Sequence, residues 1–233
     1  GAALGPEECR AALAAAAVAS AAVIGYASSA GAVAHAEAQA QAQAQAPLAS
    51  GLDYDEVHGF TWGAEAKQFF RQLEAQGYEH VAVSSRRTTP GPTRNFMGAD
   101  AHDGRRLKYR FYLRKPPPGG AAAEMEVAMV TWFGWTVEGP PMHVHGGCGA
   151  TVHDTAMGAA CFAMGVRALT ANLHVDYKVP VPLGTAAVCY ARVERVEGRK
   201  VFLSAELRSL DGEVTFSRGT SLYVQPRHPL PQR

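Results

Sequence analysis

The sequence lacks an excess of charge of either sign. Its 233 residues include 22 Lys and Arg and 21 Asp and Glu, which gives a formal net charge of +1. A near-neutral balance provides no broad electrostatic attraction for nucleic acid or for an acidic partner surface. We therefore expect no nucleic-acid partner. Hydrophobic residues make up 47% of the chain, which is enough for a substantial core.

Cysteine and metal-ligand patterns are also sparse. The pair His143 and His145 has a spacing that binds zinc on a strand, but a second pair of ligands is missing, so we expect no metal. Cys148 is interpreted as a small residue at a helix start, because a cysteine nucleophile needs a base and only His153 is near in sequence. The four cysteines fit no disulfide framework and predict free thiols: Cys9, Cys148, Cys161 and Cys189.

The N-terminal part differs in composition from the rest. Residues 11–34 carry no charged side chain and are long enough to form a transmembrane helix. Because most of them are Ala, insertion would be weakly driven, and the remnant of an organelle-targeting sequence is the alternative. An Ala/Gln-rich tether follows. We predict an N-terminal segment 1–46 with a membrane helix at 11–34, a folded domain at 51–225 and a C-terminal tail at 226–233.

Hydrophobic periodicity predicts an α+β domain. Two segments have helical character, 62–76 and 145–165, and the second is apolar on nearly all sides, so it must be buried. The dipeptides Glu197-Gly198 and Asp211-Gly212 predict tight turns between antiparallel strands. Helices do not alternate with strands along the sequence, so the pattern argues against a parallel sheet. The predicted strands are 106–114, 124–133, 169–179, 185–196, 200–210 and 213–224.

A curved antiparallel sheet wrapped around the 145–165 helix would bury it, which is the hotdog fold. In the 169–179 strand, simple alternation places Ala171, Leu173 and other apolar residues on one face. Thr170 then shares the polar face with His174 and Asp176, which we expect to face solvent or a second protomer.

The run from His145 to Asp154 predicts part of an acyl-transfer site. Helix N-termini expose unpaired N–H groups and the positive end of the helix dipole. Gly146 and Gly147 would let a carbonyl oxygen approach these amides closely. Asp154, two turns further along the same helix, would supply an acid/base group.

Four motifs together resemble hotdog acyl-CoA thioesterases, most closely the mitochondrial type of thioesterase superfamily members 4 and 5. The resemblance covers roughly residues 51–225, is strongest from Glu138 onward and does not include the N-terminal segment. The motifs are Glu138-Gly139-Pro140-Pro141, His145-Gly146-Gly147 with Asp154, Thr170-Ala171-Asn172-Leu173 followed by Tyr177-Lys178 and Pro180, and Val196-Glu197-Gly198-Arg199-Lys200.

The resemblance implies hydrolysis of fatty acyl-CoA by hotdog dimers without a cofactor, since coenzyme A is part of the substrate. It assigns the catalytic carboxylate to Asp154, a water-orienting hydroxyl to Thr170 and the carbonyl-polarising amide to Gly146, with Gly147 beside it and His145 as the family histidine. The sequence departs from the family pattern at two positions, Cys148 and His153.

Several points stay open on the residues alone. Asp154 could activate water or attack the thioester to form an anhydride. Lys178, Arg199 and Lys200 are candidates for contact with coenzyme A phosphates. We expect a mitochondrial, inner-membrane-associated protein, with another organelle membrane as the alternative. Competing functions are a structural accessory subunit of a large membrane complex, and acyl-chain binding without turnover.

Overall fold

The computed structural model describes residues 60–81, 104–117, 120 and 124–227, and these form one antiparallel sheet with two helices. The predicted membrane helix at 11–34 and the Ala/Gln-rich tether lie outside the described residues. Within them, no helix is both long and apolar enough to cross a bilayer. The helices are α1 (Ala64–Ala75) and α2 (Gly146–Ala163). The strands are β1 (Glu79–Val81), β2 (Leu107–Arg114), β3 (Glu126–Phe133), β4 (Leu169–Tyr177), β5 (Thr185–Glu197), β6 (Lys200–Ser209) and β7 (Thr215–Val224).

The sheet has the order β1-β2-β3-β5-β6-β7-β4, and every neighbouring pair is antiparallel. The predicted hairpins are confirmed, since Gly198 and Gly212 adopt positive φ values of 57° and 80° in the turns on either side of β6. A glycine reaches this conformation without steric cost. The long connection between β3 and β5 carries α2 and β4, which places β4 at the far edge beside β7.

Helix α2 lies against one face of the sheet and contacts β3, β4, β5, β6 and β7. Its buried residues join the inward residues of these strands in the main core, among them Val152, Ala156 and Met157. The predicted hotdog fold is confirmed in this respect. A helix that is apolar on nearly all sides is stable here because the sheet covers most of its surface.

Helix α1 covers part of the opposite face of the sheet. Its Phe69, Phe70 and Leu73 pack with outward residues of β3 and β5, including Val130 and Val188, in a second cluster. Strand β3 is therefore buried on both faces, which explains its nearly continuous apolar run. Strand β1 and the short 3-10 helix Trp135–Val137 were not predicted, because three residues give too little periodicity to recognise.

Candidate active site

Helix α2 begins with a histidine cap. His145 is the N-cap residue, and its ring Nδ1 accepts a hydrogen bond of 3.0 Å from the N–H of Gly147. The carbonyl of His145 accepts from the N–H groups of Cys148 and Gly149 at 2.8 and 3.3 Å. Among the first-turn amides of the described chain, the N–H of Gly146 is therefore the one left without a partner.

Tyr177 at the end of β4 fixes the helix start. Its hydroxyl donates a 2.6 Å hydrogen bond to the carbonyl of Gly146. The peptide between Gly146 and Gly147 is thus held at its oxygen by Tyr177 and at its N–H by His145. This leaves the Gly146 N–H in a fixed direction on the exposed surface of the helix start. We call His145, Gly146 and Tyr177 the amide half-site.

The two glycines are explained by different constraints. A Cβ on Gly147 would lie 3.1 Å from Nδ1 of His145, a tight contact, so the cap favours a glycine there. A Cβ on Gly146 would meet Tyr177 at 3.6 Å, an ordinary contact. Packing within the chain does not require glycine at Gly146, which is consistent with a ligand that approaches this backbone amide.

Asp154 is half-buried on α2 and receives hydrogen bonds from two hydroxyl groups. The hydroxyl of Thr170 donates to Oδ1 of Asp154 at 2.7 Å. The hydroxyl of Tyr223 lies 2.7 Å from the same Oδ1 and 2.7 Å from the backbone carbonyl of Asp154. We call Asp154, Thr170 and Tyr223 the carboxylate half-site.

A β-bulge brings Thr170 to the helix side of the sheet. The register between β4 and β7 pairs Thr170 with Tyr223 and Asn172 with Leu222, so Ala171 is the extra residue. Simple alternation had placed Thr170 on the face opposite Leu173, and this prediction is wrong. The inserted residue shifts the period by one position, so that Thr170 and Leu173 both point towards α2.

The two half-sites lie at opposite ends of β4. Gly146 and Asp154 are eight residues apart on one helix, which corresponds to about 12 Å along its axis. A thioester carbonyl spans only about 3 Å between the polarising donor and the attacking water. The expectation that the helix start and Asp154 of one chain act together on one carbonyl group does not fit this separation.

Cys148 and His153 form no nucleophile pair. His153 is fully buried on the other side of α2, where its Nε2 lies 2.8 Å from Oγ of Ser217. Burial lowers the pKa of His153 to about 4 and raises the pKa of the Cys148 thiol to about 11. At neutral pH the Cys148 thiol therefore stays protonated, and His153 is buried against Ser217, where it cannot activate that thiol as a base.

His153 makes the stability of the fold dependent on pH. Its folded pKa of about 4 lies below the ordinary value near 6.5, so between these values the unfolded chain binds a proton that the folded chain does not. Stability is therefore retained above pH 6.5 and lost as the pH falls towards 4, by about 3 kcal/mol for this group. Urea unfolding from pH 7 to pH 4 measures this loss. The loss is expected to shrink by that amount in His153→Gln, and equal losses in both proteins would contradict it.

The predicted phosphate-binding cations do not form one cluster. Lys178 lies beside the amide half-site and forms an ion pair with Asp176. Arg199 donates a 2.7 Å hydrogen bond to the carbonyl of Gln225, in the turn before β6. Lys200 pairs in register with Val224, which itself pairs with Leu169, so it lies towards the carboxylate half-site. His174 and Asp176 are exposed on the outer side of β4.

The His143 ring is held by its own loop. Its Nδ1 donates a 2.8 Å hydrogen bond to the carbonyl of Pro141. In residues 60–81, 104–117, 120 and 124–227, no three His, Cys, Asp or Glu side chains come together in a way that could hold a metal ion.

Sequence reasoning missed Tyr177 and Tyr223 as site residues. The sequence places Tyr177 in one of the thioesterase-like motifs and Tyr223 in the predicted strand 213–224, without indicating a role for either. One signal was available for Tyr223, since the preceding inward positions of β7 are small: Ser217, Gly219 and Ser221. A single large side chain with a polar tip after three small ones indicates that its tip reaches a specific partner.

Comparison with known proteins agrees with the predicted resemblance. Residues 142–216 match the family model described as the Thioesterase superfamily. The acyl-coenzyme A thioesterase THEM4 of Xenopus laevis is 41% identical over 103 residues, which cover 44% of this chain and 46% of that protein. The acyl-coenzyme A thioesterase THEM5 of Mus musculus is 27% identical over 89 residues, covering 38% and 36%. The matched region thus spans less than half the length of these curated relatives, and the resemblance to this type of thioesterase is confirmed.

Solved structures of low overall similarity were also found. The thioesterase superfamily protein RHA08564 is 22% identical with a TM-score of 0.45, covering 93% of this chain and 94% of that chain. The BH2602 protein from Bacillus halodurans, solved with CoA, is 28% identical with a TM-score of 0.39, covering 42% and 65%.

Proposed function

We propose that this chain is an acyl-CoA thioesterase, which hydrolyses fatty acyl-CoA to the free acid and coenzyme A. One observation carries the proposal: two hydroxyls hold a half-buried carboxylate, Asp154, on the same helix whose exposed start presents the Gly146 amide, which has no partner in the described part of the chain. Carbonyl polarisation and activation of water are the two requirements of thioester hydrolysis. The match to the Thioesterase superfamily over residues 142–216 supports the same reaction class.

In the proposed reaction, the Gly146 N–H donates to the thioester carbonyl oxygen and stabilises the charge that develops on it. Asp154 removes a proton from a water molecule, and the water oxygen bonds to the carbonyl carbon. The carbon–sulfur bond then breaks, and the leaving thiolate takes the proton back from Asp154. No cofactor is needed for this sequence of steps. Direct attack by Asp154, followed by hydrolysis of the anhydride, would use the same groups.

The complete site requires two copies of the chain. Tyr177 contacts the amide half-site and Thr170 contacts the carboxylate half-site, and both residues lie on β4. Within the described chain β4 has one strand neighbour, β7, so its other edge offers unpaired backbone groups. Antiparallel pairing of β4 with its copy about a two-fold axis would place the Tyr177 end of one chain beside the Thr170 end of the other.

Exposed apolar side chains on or beside β4 support this pairing. Leu169, Tyr177 and Val179 are 44%, 53% and 45% exposed. Large apolar residues on an edge strand favour association with a second strand. The proposed homodimer would cover them and form two composite sites, each with Asp154 from one chain and Gly146 from the other.

Coenzyme A contacts and location belong to the same proposal. Three cations would bind the coenzyme A phosphates. Lys178 would come from the chain that supplies the Gly146 amide, whereas Arg199 and Lys200 would come from the chain that supplies Asp154. We place the protein in mitochondria, associated with the inner membrane through residues 11–34.

The direct test is to incubate the purified full chain with a series of acyl-CoA substrates and to measure hydrolysis by the release of free thiol. Turnover of acyl-CoA is the expected result. Absence of turnover at every chain length, with the full chain recovered in a membrane complex, would favour the structural accessory function instead. Saturable binding of acyl-CoA without thiol release would indicate an acyl-chain-binding protein.

A further inference from the structure

Tyr223 contacts the carboxylate that the proposed reaction uses, although it lies outside the segment matched by the family model. We propose that Tyr223 is a positioning residue of thioester hydrolysis: together with Thr170 it holds Oδ1 of Asp154, and it thereby leaves Oδ2 as the oxygen that accepts the proton of water. This inference rests on the proposed function and adds to it a residue and the identity of the reacting oxygen atom.

The first support is the geometry of the hydrogen bonds. In the described chain, the hydroxyls of Thr170 and Tyr223 both reach Oδ1 of Asp154, each at 2.7 Å. A carboxylate oxygen has two lone pairs in its plane, and two donors occupy them. The other oxygen, Oδ2, keeps its lone pairs for a further proton donor, and an attacking water molecule is such a donor.

The second support is that Tyr223 ties the carboxylate to the helix backbone. Its hydroxyl is 2.7 Å from the backbone carbonyl of Asp154 as well as from Oδ1, so its one proton is shared between these two acceptors. One hydroxyl placed between these two atoms restricts rotation of the Asp154 side chain. Such restriction is what a general base needs, because a misplaced base loses rate steeply with distance.

The third support is the rigid setting of the Tyr223 ring. The side chain is 4% exposed and pairs in register with Thr170 on β4 and with Val201 on β6. It lies over Gly158, one turn after Asp154, where a Cβ would be 3.4 Å from the hydroxyl. Burial, and then the charge of Asp154, raise the pKa of Tyr223, so the hydroxyl stays a neutral donor at working pH.

Tyr78 offers a matched control. It is also 4% exposed, and its hydroxyl also hydrogen-bonds a carboxylate, that of Glu126. Tyr78 belongs to the second core cluster, on the side of the sheet opposite α2. Tyr78→Phe and Tyr223→Phe therefore remove the same type of buried bond, and only one of them is near Asp154.

The experiment compares the two Phe variants in steady-state hydrolysis of acyl-CoA and in thermal unfolding. We expect Tyr223→Phe to lower kcat by about 10- to 100-fold with little change in KM. This is the change in rate that corresponds to the free energy usually lost with one hydrogen bond to a charged group. Tyr78→Phe should lower the melting temperature comparably and leave kcat unchanged. In an Asp154→Asn background, Tyr223→Phe should cause no further loss of kcat.

The outcomes separate this inference from the proposed function. A wild-type protein without turnover would contradict the proposed function itself. Wild-type turnover, together with equal kcat in the Tyr223→Phe and Tyr78→Phe variants, would overturn the role of Tyr223 alone. An equal fractional loss from Tyr223→Phe with and without Asp154 would also overturn it, because the hydroxyl would then act independently of the carboxylate.

Discussion

Asp154→Asn is expected to lower kcat for acyl-CoA hydrolysis by about 10²- to 10⁴-fold, the range lost with a general base or nucleophile. An asparagine keeps the shape of the side chain, and its amide oxygen can still accept from Thr170 and Tyr223. The fold should therefore be retained while the proton acceptor is lost. Rates of thiol release, with circular dichroism of the same samples, provide the measurement.

Asp211→Asn is a suitable control for this prediction. Asp211 is an exposed aspartate in the turn between β6 and β7, where it accepts hydrogen bonds from the Ser209 hydroxyl and the Glu213 N–H, and the proposed reaction does not use it. The control should hydrolyse acyl-CoA at close to the wild-type rate. An Asp154→Asn protein with wild-type kcat would exclude the carboxylate from the chemistry.

Gly146→Pro should lower kcat by about 10²- to 10³-fold, nearly as much as Asp154→Asn. This is the usual loss when one oxyanion-hole donor is removed. Gly146 is the first residue of α2, a position where proline is well tolerated. His145 has φ −61° and ψ 132°, the extended conformation that precedes proline without strain. The substitution thus removes the N–H and leaves the helix start in place.

Gly146→Ala is the matched control, because alanine keeps the N–H. Its Cβ would meet the Tyr177 ring at 3.6 Å, an ordinary contact. The ratio of kcat between the alanine and proline variants therefore reports the amide itself. Similar kcat values in the two variants, whether high or low, would contradict the assignment of this amide as the carbonyl donor.

The sequence was informative wherever the pattern was regular and local. The hairpins followed from Gly198 and Gly212, since few other residues adopt positive φ in a two-residue turn. The central helix followed from its all-round apolar surface, which only a surrounding sheet can bury. The resemblance to thioesterases rested on motifs between Glu138 and Lys200, and most of this stretch lies within residues 142–216, which match the family model.

The parts that could not be predicted depend on non-local geometry. The bulge at Ala171 changes which face Thr170 occupies, and nothing in the alternating pattern marks where an extra residue is accommodated. The contact of Tyr223 with Asp154 joins residues 69 positions apart and depends on the order of strands in the sheet. By contrast, the separation of Gly146 from Asp154 follows from helix geometry alone and can be calculated from the sequence.

The central claim is that each active site combines Asp154 of one chain with Gly146 of another, and mixed dimers test it most directly. Two differently tagged chains are co-expressed, and the heterodimer is purified through both tags. One heterodimer joins an Asp154→Asn chain to a Gly146→Pro chain. The other joins a wild-type chain to a chain with both substitutions.

The two heterodimers carry the same two substitutions in different arrangements. If sites are shared between chains, the first heterodimer keeps one intact site of two and should show about half of the wild-type kcat per dimer. The second has a substitution in each of its sites and should be nearly inactive. The reverse result, an inactive first heterodimer and a half-active second one, would contradict the account, because each chain would then hold a complete site.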